Sequence, residues 1–247
     1  MNDDRFIRTE KLLGLNGLDK LRRSFVVVAG LGAVGSYAVE GLARAGIGRL
    51  RLVDFDIVRT SNINRQLYAL QSTLGQAKVD LARRRVLDIN PQCQVEGLNC
   101  FVHQDSLDQI LAEKPDVVID AIDSLNPKTE LLVGVLTRNI PIFSSMGAAL
   151  KRDPSKICVG PLDQVAGCSL ARMVRKRLRH RGAPVNFPCV FSTELPNKKG
   201  MTEGNEPDFL IRGRTRRSLG SLPTITGIFG LNLAHAVIEW LLNTNRV

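Results

Sequence analysis

The sequence predicts an α/β fold organised on a doubly wound, mostly parallel sheet. Three observations carry that expectation. Apolar, strand-length runs recur at residues 25–29, 49–53, 116–122 and 140–144; helical patterns separate them; and a glycine-rich turn follows the first run directly. Strand, helix and parallel strand close with a right-handed crossover, so the alternation places helices on both faces of one sheet.

Residues 1–24 read as helical, with Phe6, Ile7, Leu12, Leu13, Leu18 and Leu21 as the apolar positions. The strand at 25–29 then runs into Gly30-Leu31-Gly32-Ala33-Val34-Gly35, a G-x-G-x-x-G turn that opens a helix ending at Gly46. A second strand ends in Asp54. In this Rossmann-like context the first glycine permits the tight turn, the second admits a nucleotide close to the backbone, and the third lets helix pack on strand. The helix N-terminus favours a phosphate, and Asp54 is placed to accept both hydroxyls of a ribose.

After Asp54 the chain stays polar and cationic through Asp56, Arg59, Asn62, Arg65 and Gln66, and Lys78 follows on a helix expected over 75–90. Two cations beside a ribose-binding acid suit a triphosphate, whose charge must be neutralised before a nucleophile approaches phosphorus. A strand at 94–100 and a helix over 106–113 lead to the strand at 116–122, which delivers Asp123 to its carboxyl end. In an open parallel sheet the carboxyl ends of the strands form the ligand crevice. A carboxylate facing phosphates there is a natural Mg²⁺ ligand, and the same residue before Ser124-Leu125-Asn126-Pro127 is also good helix-capping chemistry. The strand at 140–144 ends in the small residues Ser145 to Ala149, which leave room for a substrate.

Beyond Lys151 the character changes. Over 163–182, Leu170, Met173, Val174 and Leu178 form a helical stripe, and Arg172, Arg175, Lys176, Arg177, Arg179 and Arg181 cover the rest. That run holds six cations in ten residues with no acid among them, which favours phosphate binding over a merely solvated face. Residues 196–221, rich in Pro, Gly, Lys and Arg, read as a mobile loop that orders on a substrate. The apolar run 225–242 is broken by Gly227, Gly230, Asn232, His235 and Glu239, so a buried helix packed back on the sheet is expected, with no stable membrane insertion.

Composition sets the remaining bounds. Of 247 residues, 34 are Lys or Arg and 24 Asp or Glu, a net charge of +10 that points to a polyanionic partner, nucleic acid or an anionic membrane surface. Aromatic residues are only 5%, so a broad base-stacking platform is not expected. The five cysteines are scattered without C-x-x-C spacing, which fits a reducing cytoplasm and excludes a zinc ribbon. The polar start carries no signal-peptide pattern.

The segments Asp54-Phe55-Asp56-Ile57-Val58, Ser61-Asn62-Ile63-Asn64-Arg65-Gln66 and Gly75-Gln76-Ala77-Lys78 resemble the adenylating domain shared by ubiquitin-activating E1 enzymes and their bacterial relatives in thiamin and molybdopterin synthesis. The resemblance spans about residues 5–149. It implies ATP and Mg²⁺ as cofactors, with Gly30, Gly32, Ala33, Gly35, Asp54, Asp56, Asn62, Arg65, Gln66, Lys78 and Asp123 around the nucleotide. It further implies Arg65 and Lys78 on the phosphates, Asp123 on the metal, and Arg8, from Arg5-Phe6-Ile7-Arg8, reaching into a partner's site across a homodimer. As a bare pattern, Arg8 is equally a surface arginine.

Three features narrow the branch. The paired C-x-x-C motif of the thiamin and molybdopterin members is absent and the second half is strongly basic. The segments Ser144 to Ala148, Asp153-Pro154-Ser155-Lys156-Ile157, Leu170 to Leu178, Val190-Phe191-Ser192-Thr193-Glu194 and 222–230 resemble the tRNA threonylcarbamoyladenosine dehydratase branch. This implies an ATP-binding unit over 1–150 and a basic, tRNA-facing extension over 151–247 packed on the same sheet, with Arg172, Arg175, Lys176, Arg177 and Arg179 on the tRNA. The implied reaction is dehydration of the threonylcarbamoyl group on adenosine 37 to a cyclic form. ATP activates the free carboxylate as an acyl phosphate or acyl adenylate, and an internal nitrogen or oxygen displaces phosphate or AMP. The rival within the superfamily activates a ubiquitin-like sulfur carrier. A nicotinamide dehydrogenase is opposed by Arg65 and Lys78, and a non-enzymatic RNA-binding protein would bind no ATP. A sulfur-relay protein is a further possible partner. Cys189, before Val190, is positioned as a thioester candidate or as a buried structural thiol.

Overall fold

The computed structural model describes residues 4–197 and 219–244. Their seven strands form one sheet in the order β3-β2-β1-β4-β5-β7-β6. β1 (Phe25–Ala29), β2 (Arg49–Val53), β3 (Gln94–Leu98), β4 (Val117–Asp120), β5 (Ile142–Ser145) and β7 (Pro188–Ser192) are parallel, and β6 (Ile157–Pro161) runs antiparallel to β7 at the edge. The order reverses between β1 and β4, and the crevice outside their carboxyl ends is where such sheets bind ligands.

β1 is apolar throughout because both of its faces are covered. Val26 and Val28 join a core with α2 (Gly35–Ala45), α3 (Lys78–Ile89) and α7 (Pro223–Asn243), whose contributors include Leu42, Val86, Phe229 and Val237. Val27 and Ala29 face the other side, toward α4 (Leu107–Ile110), α5 (Leu125–Thr137) and α6 (Ser169–His180), with Leu131, Val135, Val174 and Leu178. Phe229 is fully buried. Truncating a residue of that kind to alanine typically costs about 3–5 kcal/mol.

α7 is long and apolar enough to cross a membrane by length and composition, but half of it is buried against the rest of the protein. It packs on α2, where Gly41 faces Ala234 and Leu231, as the interrupted apolar run led us to expect. The first helix, α1 (Ile7–Arg22), is kinked at Gly14 and buries Leu18 and Leu21 while leaving Leu12 and Leu15 exposed.

Several expected boundaries shift for local reasons. The helix expected over 106–113 shrinks to α4, because Glu113 and Lys114 take φ of 61° and 46°. The basic helix starts at Ser169 rather than near 163; Cys168 is extended and accepts the Ala171 N–H at 3.5 Å as its cap. The β6–β7 pair extends the sheet beyond β5 where no strand was expected. Of the loop expected over 196–221, residues 198–218 lie outside the described residues.

Candidate active site

The glycine turn is tight on two sides and open on a third. Gly30 sits at φ +89°, its N–H donates to Val53 O at 2.8 Å, and a Cβ there would come within 2.8 Å of Ala121 O. A Cβ on Gly35 would run into Gly30 O. At Gly32 the nearest atom to a Cβ would be Gln66 Nε2 at 3.7 Å, so its surface is free for a ligand's approach. Ala33 lies half-buried in the same turn.

Asp54, one residue past β2, faces that turn. Its Oδ2 accepts the Leu31 N–H at 2.7 Å and its Oδ1 accepts the Asp56 N–H at 2.9 Å. Each oxygen keeps a further lone pair, so the carboxylate is oriented and can still accept hydroxyls. Burial pushes its pKa above the ordinary carboxylate range, and the Lys78 ammonium and the two backbone donors offset part of that rise.

Lys78 opens α3. Its N–H donates to Asp56 O at 3.0 Å and its Nζ lies 2.7 Å from Asp56 Oδ2, which together fasten the helix start to the loop after β2. Its residue exposure is 5%, and one charge-assisted bond leaves two ammonium donors for a phosphate. Asp54, Asp56 and Lys78, chosen from sequence as nucleotide contacts, are therefore brought together.

The intervening loop holds the next three expected contacts. Asn62 is buried, and its Oδ1 accepts the Arg59 N–H at 3.1 Å, so its side-chain oxygen organises the loop. Arg65 is half-buried and donates through Nη1 to Ser61 O and Asn64 Oδ1, each at 2.8 Å, folding back on its own loop. Gln66 is the neighbour that reaches Gly32.

Across the crevice, Asp123 is exposed between β4 and α5, and the Ser124 hydroxyl donates to its Oδ1 at 3.3 Å. Ser124, not Asp123, is the N-cap of α5. No cluster of three or more metal-binding side chains occurs among the described residues. A single carboxylate suits Mg²⁺ only where phosphate oxygens and water complete the shell, which is how that ion is usually held. Arg8 is exposed on α1.

Sequence reasoning missed a buried group beneath this loop. Asp120, Lys128 and Ser144 are each fully buried. Lys128 Nζ lies 2.7 Å from Asp120 Oδ2 and donates to Ile122 O at 2.9 Å, and the Ser144 hydroxyl donates to Asp120 Oδ2 at 2.6 Å. The available signal was an acid ending an apolar strand and a lysine just before the apolar stretch of α5.

The basic helix is divided by its contacts. Arg175 donates to Leu162 O at 2.9 Å and Val165 O at 2.7 Å, Arg177 bonds Asn126 Oδ1, and Arg181 pairs with Glu130 at 2.6 Å. The impression of a run without acidic partners is thus corrected: α5 supplies Glu130 from outside the run. Arg172, Lys176 and Arg179 remain exposed and share one face at helical spacing. Cys189 is fully buried in β7, its thiol donates to Gly160 O at 3.3 Å, and burial pushes its pKa up to about 12.

Two clefts among the described residues lie elsewhere. One of about 480 Å³ is lined by Asp108, Glu130, Arg138 and Arg181; one of about 450 Å³, at the amino ends of the strands, by Arg22, Arg49, Glu113 and Lys114. Asp108–Arg138, Glu130–Arg181 and Arg49–Glu113 are salt bridges, so these linings are partly self-neutralised. Neither cleft contains Asp54, Lys78 or Asp123. The convergence of oriented acids, a buried cation and glycine backbone at the sheet's switch point marks the candidate site.

A model of the ThiF family matches residues 4–247. The chain is 44% identical over 191 residues to the tRNA threonylcarbamoyladenosine dehydratase of Bacillus subtilis, covering 77% of this chain and 75% of the relative. It resembles the crystal structure of Escherichia coli tRNA N6-threonylcarbamoyladenosine dehydratase in complex with ATP with a TM-score of 0.86 and 32% identity, over 97% of this chain and 94% of that one. Similarity to the Escherichia coli molybdopterin-synthase adenylyltransferase, at 34% identity, covers 62% of each chain.

Proposed function

The chain belongs to the ThiF family, and we propose that it is an ATP-dependent tRNA threonylcarbamoyladenosine dehydratase. The observation that carries this reading is the junction of Asp54, Asp56 and Lys78 at the glycine turn, in a chain similar to such dehydratases along nearly its whole length. The similarity to the molybdopterin enzyme covers a smaller part of the chain, which disfavours a sulfur-carrier protein as the substrate.

ATP would supply the activation: a carboxylate oxygen of the modified adenosine attacks a phosphorus of ATP, releasing pyrophosphate or ADP and leaving an acyl adenylate or acyl phosphate whose carbonyl can be attacked. The protein's part is positioning and charge neutralisation. Asp54 accepts the ribose hydroxyls, and the Leu31 bond keeps it facing the glycine turn. Lys78, held by Asp56, directs its remaining donors at the phosphates, and Arg65 joins it by turning from Ser61 O. Asp123 would hold Mg²⁺ together with phosphate oxygens. An internal nitrogen or oxygen of the substrate then attacks the activated carbonyl, gives up its proton and expels AMP or phosphate, which carries away the carboxylate oxygen, so the net change in the base is loss of one water.

Residues 1–150 form the ATP unit in this reading and 151–247 the tRNA-facing extension. Arg172, Lys176 and Arg179 meet the RNA backbone, while Arg175 and Arg177 anchor the helix that presents them. Arg8 enters the site of the second subunit of a homodimer. ATP consumption discriminates the substrates. Stimulation by threonylcarbamoylated tRNA supports the reading, and stimulation only by a small protein ending in Gly-Gly opposes it.

A further inference from the structure

We infer that Lys128 is a positioning residue, resting on the reading of Asp123 above, that fixes the Asp123 carboxylate for phosphate and metal. Lys128 has no exposed surface, so it cannot touch a substrate itself. From the first turns of α5 it reaches back to Ile122 O at 2.9 Å, one residue before Asp123. Its charge is balanced by Asp120 at 2.7 Å, and Asp120 in turn accepts the Ile122 N–H at 3.1 Å and the Ser144 hydroxyl at 2.6 Å. Both polar groups of the Ile122 backbone are therefore held from beneath.

The same segment is clamped from the side. Ala121 N donates to Ala29 O at 2.8 Å, and the glycine turn packs so close that a Cβ on Gly30 would meet Ala121 O at 2.8 Å. Asp123 is thus an exposed carboxylate on a short loop whose preceding residues, Ala121 and Ile122, are hydrogen-bonded into the sheet and the buried group, the kind of support a metal or phosphate site requires. A fully buried lysine serving only stability would be a poor choice, since an apolar side chain of that volume often does as well.

The test uses the full chain, with Asp120→Asn/Lys128→Met as the principal variant. It removes both buried charges at once and leaves Ile122 O without its donor; Lys128→Met alone is the harsher companion. Each is made with and without Asp123→Ala, and Mg·ATP affinity is measured by calorimetry beside turnover and thermal melting. We expect the paired variant to fold, to bind Mg·ATP about 10–100-fold more weakly and to lose turnover in proportion. We expect that loss to shrink to less than about twofold when Asp123 is already alanine, because the two sites act through one group. Losses that multiply in full in the Asp123→Ala background, or a lowered melting temperature with unchanged Mg·ATP affinity, would overturn the inference. If Asp123→Ala alone left Mg·ATP affinity unchanged, the reading of Asp123 would fail first and the inference with it.

Discussion

Lys78 Nζ lies 2.7 Å from Asp56 Oδ2 with its side chain only 7% exposed, beside the carboxylate of Asp54. Desolvating an ammonium is costly, and replacing such a pair by apolar groups is often neutral or stabilising. Its value lies in placing a fixed positive charge next to the glycine turn, where a phosphate's negative charge would sit.

Replacing Lys78 by alanine is accordingly predicted to lower turnover by about 10²–10³-fold, the usual effect of losing one preorganised charge-stabilising donor. The fold should survive, because Asp56 is part-exposed and keeps a second cation, Arg59, at 3.4 Å. Steady-state kinetics beside a thermal melt separates the two effects.

The basic helix should split into two functional sets. Changing Arg172, Lys176 and Arg179 together to glutamine is predicted to weaken tRNA binding and to reduce the slope of log affinity against log salt by about 2, while ATP affinity stays unchanged. Arg175→Gln should behave differently. It removes the donor to Leu162 O and Val165 O and costs about 1–3 kcal/mol of stability, read from denaturant unfolding.

Cys189 is predicted to be dispensable for the chemistry. A thiol buried in β7 and pushed up to about 12 is not a thiolate at neutral pH. Cys189→Ala should keep turnover within about twofold of the parent, with a modest loss of melting temperature from the missing sulfur. Trapping of a covalent thioester on this residue would contradict that.

Asp54 gives a pH signature. Burial raises its pKa, so the folded chain holds this proton more tightly than the unfolded one, and its contribution to stability is present at acid pH and lost as pH rises through the raised value. Nucleotide binding runs the other way, because protonation removes an acceptor from the ribose. Calorimetric ATP affinity should therefore fall as pH is lowered through the raised value. Asp54→Asn should bind more weakly and flatten that profile.

Much of the fold was legible because its signals are local. β1 is apolar at every position and both of its faces are covered, and Gly30 and Gly35 mark the turn. Asp54 could be named from its spacing to the glycine turn and Lys78 as a cation following it, while Asp56 was named only by the family resemblance. What sequence could not show depends on distant partners. Arg175 and Arg181 read as free cations until Val165 O and Glu130 are seen to receive them. The buried Asp120–Lys128–Ser144 group joins β4, α5 and β5, and β6 is a five-residue edge strand ending in Gly160 and Pro161 that carries little periodic signal.

In the proposed reaction, ATP energy removes water from a modified tRNA base. The direct test is mass spectrometry of nucleosides from threonylcarbamoylated tRNA incubated with this protein, ATP and Mg²⁺. The threonylcarbamoyladenosine peak should give way to a species lighter by one water, and only when ATP is present. An unchanged nucleoside profile, with ATP consumed in response to a Gly-Gly-ended carrier protein instead, would contradict it.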